Sequence, residues 1–213
     1  MVRYLHTMPK TILSLTLIIL LCSCMPKIPM DIKVRFKSCY DPKKNVAAGK
    51  IGTTGYFRQR TSYYEPTGKA LVIIHYFMFF EDGIYWSGIY DHREFGNRID
   101  IDDYFDRLIS KNTRDSEEAA LQRGSGRQGL YTISNDTIRT ETLNNPAPPA
   151  QYSLENEMFV IIDKNTVQEI SSSSDRVYEP ATFIPIKAPI TSDSWIQLET
   201  WVYCNSADAP VKN

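Results

Sequence analysis

Apolar and polar positions alternate along much of this chain in a way that predicts a succession of β-hairpins. In the strongest signal, two runs of β-branched and aromatic residues flank Asp82-Gly83, a pair that favours a two-residue type I′ turn. With that turn, Phe80 faces Tyr85 and His75 faces Tyr90, and aromatic side chains line both faces of the hairpin. Because the first of these strands is almost wholly apolar, we expect it to be covered on both sides.

Further elements follow from alternation and from turn residues. An alternating stretch over residues 34–40 predicts a first strand, and residues 200–204 predict a last one. Asp100 fits the N-cap of a short amphipathic helix, and Ser194 fits the start of a helical turn. The other predicted strands lie near residues 55–57, 130–133, 137–141, 157–162, 166–170 and 183–186. The pattern predicts a mainly β fold, an antiparallel barrel or sandwich of seven to nine strands with one or two short helices.

The N-terminus has the organisation of a secretion signal. Arg3 and Lys10 precede an apolar run, Ile12 to Leu21, which has about half of the roughly 20 residues that a transmembrane helix needs. Leu21-Cys22-Ser23-Cys24 follows directly and resembles a bacterial lipobox, which implies cleavage before Cys24 and acylation of its thiol. The alternative is an ordinary signal peptide cleaved nearby, although no A-x-A-like site is present.

This resemblance implies that acylated Cys24 anchors the mature protein permanently in a lipid bilayer, because lipoproteins of this kind carry more than one acyl chain. The second mature position is Met25 rather than Asp, so we expect the bacterial outer membrane, with the periplasmic side favoured over the cell surface. The predicted organisation is a signal peptide (1–23), a segment with the lipid anchor, a tether and a first strand (24–50), a single β-rich domain (51–204) and a C-terminal tail (205–213).

Charge excludes one large class of partner. The chain has 24 Lys and Arg against 25 Asp and Glu. Since the first 23 residues hold two basic and no acidic residues, the mature chain has 22 against 25, a net charge of −3. This mild acidity without a basic stripe gives no electrostatic footprint for nucleic acid or for anionic lipid.

Two cysteines besides Cys24 lie near the ends of the mature chain, Cys39 and Cys204. An exported protein meets an oxidising compartment, so a disulfide between them is expected, worth on the order of 4 kcal/mol in the chain-entropy model. Two buried free thiols are the alternative at this point. Neither cysteine lies in a C-x-x-C motif or beside a histidine, which argues against catalysis.

The hairpin succession resembles small lipocalin-like lipoproteins of unknown function in Gram-negative bacteria. The likeness runs over roughly residues 50–204 and is carried by Gly55-Tyr56-Phe57, by Asn135-Asp136-Thr137-Ile138 and by the closing segment from Pro189 to Trp201. Phe57 stands where a true lipocalin has tryptophan. The resemblance implies a lipocalin-like barrel.

Candidate ligand-binding residues are few. His75, on an otherwise apolar face, can offer a polar group to a ligand in a barrel, or it can be a core histidine bonded to Tyr90. Trp86 and Tyr90 belong to an aromatic set that suits a sugar or a lipid, although core packing explains many of its members. His75 and His92 lie on different elements, so the sequence predicts no metal site and no cofactor.

No catalytic or nucleotide motif is present. The acids at positions 100, 102, 103 and 106 suit a solvated helix better than a calcium loop, and the glycines from Gly124 to Gly129 lack the lysine of a P-loop and suit a flexible segment. The leading hypothesis is a non-enzymatic binding domain for a small apolar or glycan ligand or for a partner protein, such as an outer-membrane protein. The rivals are a structural accessory lipoprotein of an outer-membrane assembly and an undetected periplasmic hydrolase.

Overall fold

Eight antiparallel strands close into a barrel in the computed structural model, which describes residues 28–64, 70–91, 127–144, 152–170, 179–186, 192 and 194–210. Each strand pairs with the next along the chain, and the last pairs with the first. The strands are β1 (Gly55–Tyr64), β2 (Ala70–Phe79), β3 (Ile84–Asp91), β4 (Arg127–Ser134), β5 (Thr137–Asn144), β6 (Ser153–Asp163), β7 (Thr166–Glu169) and β8 (Ala181–Pro185). The predicted mainly β fold is confirmed, and the barrel is selected over the sandwich.

Large aromatic rings fill one half of the barrel interior. Phe77 and Phe79 are two residues apart on β2 and therefore share its inner face. Their rings lie 4.9 and 5.7 Å from that of Phe159, centroid to centroid, in edge-on geometry. Such aromatic pairs contribute roughly 0.5–1.5 kcal/mol each beyond simple burial. The aromatic core comprises Phe57, Phe77, Phe79, Tyr85, Tyr131 and Phe159, none of which is more than 2% exposed.

The outer face of β2 is also buried, as its composition predicts. Its outward-facing residues Ile74, Tyr76 and Met78 pack in a second apolar cluster outside the barrel. The N-terminal helix α1 (Met30–Arg35) contributes Ile32 to this cluster, and the C-terminal segment contributes Ile196 and Val202. The chain ends therefore form an outer layer over one side of the barrel.

The first hairpin differs from its predicted register by one residue. Phe79 pairs with Tyr85 and His75 with Ile89, because the loop has three residues, Glu81 to Gly83, instead of two. Gly83 has φ +91°, and the Phe80 carbonyl accepts a hydrogen bond from its N–H at 3.0 Å. This is the three-residue loop in which a residue with positive φ follows a turn. As a result, Phe79 and Tyr85 share the inner face.

Residues 34–40, predicted as a first strand, differ from that expectation. Residues 30–35 form α1, and Ile32 and Phe36 are buried while Val34 is exposed. Ile28, Ile32 and Phe36 recur every fourth residue, which is the helical spacing, and this longer period places all three in the outer cluster. Residues 28–50 therefore belong to the folded unit instead of forming a tether.

The predicted last strand is also wrong. Residues 200–202 form a 3-10 turn, and Tyr203 makes only an isolated parallel bridge with Tyr40. Pairing of β1 with β8 closes the barrel without this segment. The predicted turn after Ser194 is confirmed as a 3-10 turn with a capping box between Ser194 and Gln197.

The predicted disulfide is confirmed. Cys39 and Cys204 are bonded, with their Cα atoms 4.9 Å apart, and they join the two ends of the outer layer. The hairpins β4–β5 and β6–β7 are present as predicted, although β4 begins at Arg127 and includes the end of the glycine-rich segment. The predicted helix after Asp100 and the lipobox lie outside the described residues. Within those residues, no helix has the length and apolarity that a membrane crossing requires.

Candidate functional site

One end of the barrel is closed by the segment that precedes β1. Val46, Ala47 and Ile51 pack with the interior aromatic rings. The same segment is bonded to three turns: the Val46 N–H donates to the Glu81 carbonyl at 2.7 Å, the Gly52 N–H to Lys164 at 2.9 Å, and the Lys50 ammonium to Asn135. The segment therefore closes this end of the barrel and has a structural role.

The interior changes from apolar to polar toward the opposite end. On seven of the eight strands, inward positions beyond the aromatic core include residues that bear hydrogen-bonding groups or charges. We call them the polar layer: Gln59, His75, Ser87, Arg127, Thr140, Thr142, Glu155, Glu157 and Glu169. Both threonine hydroxyls lie against the β6 backbone, with Oγ to carbonyl distances of 3.3 and 3.2 Å.

Glu157 is the centre of the polar layer. The Tyr85 hydroxyl donates to its Oε2 at 2.6 Å, and Nη1 of Arg127 lies 3.2 Å from its Oε1. Burial raises the pKa of Glu157, while the Tyr85 hydrogen bond and the Arg127 charge oppose that rise. The pKa of Tyr85 is raised well above its usual value, by burial first and then by the charge of Glu157. The Tyr85 hydroxyl is therefore protonated and acts as a donor.

Arg127 also contacts a second carboxylate, since its Nη1 lies 2.6 Å from Oε2 of Glu155. The side chain of Glu157 is 14% exposed, whereas those of Arg127 and Glu155 are 35% and 34% exposed. The charged groups therefore extend from the buried core toward solvent, and a molecule arriving at the polar end would meet Arg127 and Glu155 first.

Glu169 is a third carboxylate in this layer, at the end of β7. Its pKa is raised to about 7, chiefly by burial and then by the negative charge of Glu157, against a smaller lowering by Arg127. No side chain or backbone group of the described residues donates a hydrogen bond to its carboxylate. Near neutral pH, this group therefore titrates, and within the described part of the chain it lacks a hydrogen-bond donor.

Gln59 is the other incompletely bonded group of the layer. It is fully buried, and its Nε2 donates to the Glu179 carbonyl at 2.6 Å, while its Oε1 has no hydrogen-bond partner. Since buried polar atoms are nearly always bonded, an orphan acceptor here needs an explanation. Glu179 lies two residues before Ala181, which pairs with Val167, so Gln59 and Glu169 flank the start of β8 from opposite sides.

Strand pairing beside these two groups is short among the described residues. β8 pairs with β1 only over residues 55–58, and β7 pairs with β6 only over residues 159–163. Toward the polar end, the facing edges of β1 and β6 have no strand partner among the described residues. Arg127 and Glu155, whose side chains are about a third exposed, are the members of the layer that meet solvent at the end of the barrel.

The predicted site residues are not assembled into one site. His75 lies on the inner face at the level of the polar layer, where it pairs with Gln59 and Ile89. Trp86 lies on the outer face, with its ring 5.4 Å from that of Phe80, centroid to centroid. For Tyr90 the structure describes only the backbone, which pairs with Ile74.

Sequence reasoning missed the charged members of the polar layer. Glu155 and Glu157 alternate with Asn156 and Met158 and lead into buried Phe159, so the inward face of β6 changes from acidic to aromatic within one strand. That pattern was a usable signal, because two acids in phase with a core residue on a strand face the same side as that residue.

A surface depression lies outside the barrel, between the N-terminal segment and the outer faces of β4 to β6. Its volume is about 640 Å³, and the cystine forms part of its wall. Glu141 faces it and accepts hydrogen bonds from the backbone N–H groups of Lys37 and Ser38. These bonds attach the N-terminal segment to β5, which indicates a structural role.

Metal chemistry has no support in the described part of the chain, where no three His, Cys, Asp or Glu side chains come together as metal ligands do. Comparison with known proteins gives no relative: no protein-family model, no curated protein and no solved structure matches this chain.

Proposed function

We propose that this protein is a lipoprotein, anchored through acylated Cys24, whose barrel binds a small polar ligand at the polar layer. The observation that carries the proposal is the placement of Arg127, Glu157 and Glu169 inside a barrel, in the same layer as the orphan acceptor of Gln59. Charged groups with shifted pKa values in a concave site are typical of functional sites.

Stability alone does not account for the polar layer. Removing charges from water costs free energy that a buried ion pair often fails to recover, so apolar side chains in these positions would give an equal or better core. The same barrel uses tightly packed phenylalanines one layer below. Because those rings fill the closed end, the structure favours a polar ligand, such as a glycan, over a wholly apolar one.

Mass spectrometry tests the ligand directly. Full-length protein extracted from membranes in mild detergent should carry a small molecule in native spectra, and Gln59→Leu should lose it. The matched control is Gln168→Leu, which removes the same amide from β7; Gln168 points outward, since Val167 and Glu169 point inward. Two results would contradict the proposal. In one, both variants retain the small molecule; in the other, the wild-type protein is empty and binds no member of a small panel of glycans and amines.

The membrane anchor is tested separately. With a labelled fatty acid in the growth medium, the wild-type chain should become labelled and the Cys24→Ala variant should not. Cys22→Ala is the matched control, because it changes a neighbouring cysteine and leaves the acylated position intact. Label that persists in the Cys24→Ala variant would overturn the anchor.

A partner protein is the second candidate, and one surface favours it. Val160, Ile162 and Ile170 are 37%, 56% and 42% exposed, and Val160 and Ile162 share the outer face of β6. Ile170 lies beside them, because its N–H donates to the Met158 carbonyl. Contiguous exposed apolar side chains often mark an interface. A photo-crosslinking residue at Ile162, compared with one at exposed Asn205, should capture an outer-membrane protein if this candidate is right.

A further inference from the structure

We propose that the ligand of the polar layer is an organic cation with N–H donors, an ammonium or a guanidinium group, and that Glu169 and Oε1 of Gln59 receive it. This inference rests on the proposed function, because it names the chemical class that the site would accept. Three observations support it: the charge balance of the layer, the two acceptors that lack donors, and the spacing of its acids.

The layer has more negative than positive charge. Among the described residues, Glu155, Glu157 and Glu169 face one permanent cation, Arg127, whose Nη1 contacts both Glu155 and Glu157. The same guanidinium nitrogen therefore supplies the ion pairs of two acids, and the third acid lacks a contact of this kind among the described residues. A ligand with a positive charge would balance Glu169, whereas a carboxylate or phosphate ligand would add to the excess.

The hydrogen-bonding deficit points the same way. Among the described residues, the carboxylate of Glu169 receives no hydrogen bond, and the fully buried Oε1 of Gln59 has no partner. Both atoms are acceptors, and both groups flank the first residues of β8. A group that carries several N–H donors and a charge satisfies both at once, and charge-assisted bonds of this kind are the stronger ones.

The spacing of the acids favours an organic cation over a metal ion. Within the described residues, no three candidate ligands converge closely enough to hold a metal. An ammonium or guanidinium group needs no such convergence, since its donors reach out to separate acceptors. The apolar core below the layer would then contact the hydrocarbon part of the ligand.

Binding should depend on pH in a defined direction. Among the described residues, Glu157 on β6, Arg127 on β4 and Tyr85 on β3 interact electrostatically with Glu169. Glu155 on β6 and His75 on β2 share the inner face with it, while the described parts of β1, β5 and β8 contribute no titratable side chain to the layer. The unliganded pKa of Glu169 is about 7, and a cation binds its ionised form. Affinity should therefore rise from pH 6 to pH 8, by roughly tenfold for one such group, with release of a proton at pH 6.

The test uses full-length protein in detergent and three probes of one shape: benzamidinium, which is cationic, benzamide, which is neutral, and benzoate, which is anionic. Calorimetry at pH 6 and pH 8 should detect binding of benzamidinium alone, tighter at pH 8. Glu169→Gln should weaken that binding roughly ten- to hundredfold and remove its pH dependence. Asp163→Asn, in a turn at the closed end, is the matched control and should bind as the wild type does.

The outcomes separate this inference from the function on which it rests. Equal binding of benzamide, or unchanged benzamidinium binding in Glu169→Gln, would refute the cation and leave a polar binding site. A protein that binds none of the three probes and carries no ligand from membranes would refute both. Thermal unfolding of each variant shows that a loss of binding is not a loss of fold.

Discussion

Replacing both Cys39 and Cys204 by serine should destabilise the protein by several kcal/mol, although it removes no core side chain. The disulfide joins residues 165 positions apart, so it closes nearly the whole folded unit into one loop. In the chain-entropy model, a loop of that length stabilises the folded state by about 5 kcal/mol, because the unfolded chain loses freedom. Measured losses for native disulfides are typically about 2–5 kcal/mol.

The surroundings of the cystine indicate that this effect acts through the unfolded state. The Tyr40 N–H donates to the Val202 carbonyl at 2.7 Å, and the Cys204 N–H donates to the Tyr40 carbonyl at 3.0 Å. The rings of Tyr40 and Tyr203 also contact each other edge-on, with centroids 5.2 Å apart. These contacts keep the two segments together without the crosslink, so the native structure should change little.

The assay is urea unfolding of the full-length protein in detergent, followed by tryptophan fluorescence. With a slope of about 2 kcal/mol per M, a loss of about 4 kcal/mol lowers the midpoint by about 2 M. Each single variant should match the double variant, and reduced wild-type protein should match all three. A double variant whose midpoint stays within about 0.3 M of the oxidised wild type would refute the reasoning.

Three further predictions concern single side chains. Asp82→Ala should cost about 2 kcal/mol in urea unfolding, because its carboxylate accepts hydrogen bonds from the Tyr40 and Ser192 hydroxyls, whereas Asp163→Ala should cost little. Gly129→Ala should lower the unfolding temperature severely, since a Cβ there would lie 2.0 Å from the Glu141 carbonyl oxygen, while alanine at the exposed Thr132 of the same strand should be tolerated. Glu169→Gln should match the wild type in unfolding temperature near pH 4.5 and exceed it at pH 8. The folded pKa of Glu169 is raised to about 7, so the wild type loses stability as pH rises from about 4.5 to 7. A difference in unfolding temperature that does not change between pH 4.5 and pH 8 would contradict this.

The barrel could be predicted because its evidence is local. Each hairpin is marked by turn residues between two runs of strand-forming side chains, and strands joined by short turns are neighbours in space. The register of the first hairpin could not be predicted, since Asp82-Gly83 fits both a two-residue and a three-residue loop. In the folded chain, Asp82 Oδ1 accepts a hydrogen bond from the Ile84 N–H at 3.2 Å, a contact that belongs to the longer loop.

The outer layer was missed because two periods overlap in the same residues. Phe36 belongs both to the alternating series that starts at Val34 and to the every-fourth series that starts at Ile28. Tertiary packing decides between the two series, because α1 packs against β6 and its Ile32 joins the apolar cluster outside the barrel. Such packing follows from the tertiary structure, and the pattern of a local stretch of about ten residues does not reveal it.

The polar layer combines residues that are far apart in sequence, and the proposed binding role has a consequence that a purely structural role would not have. If Glu169 served only the fold, its replacement by glutamine would change stability and leave binding alone. If it receives a cation, the same replacement raises stability at pH 8, since a buried charge is removed, and weakens binding, since the acceptor is removed. Opposite signs in the two assays for one variant would therefore identify a group kept at a cost in stability, and this outcome would distinguish a binding site from an imperfect core.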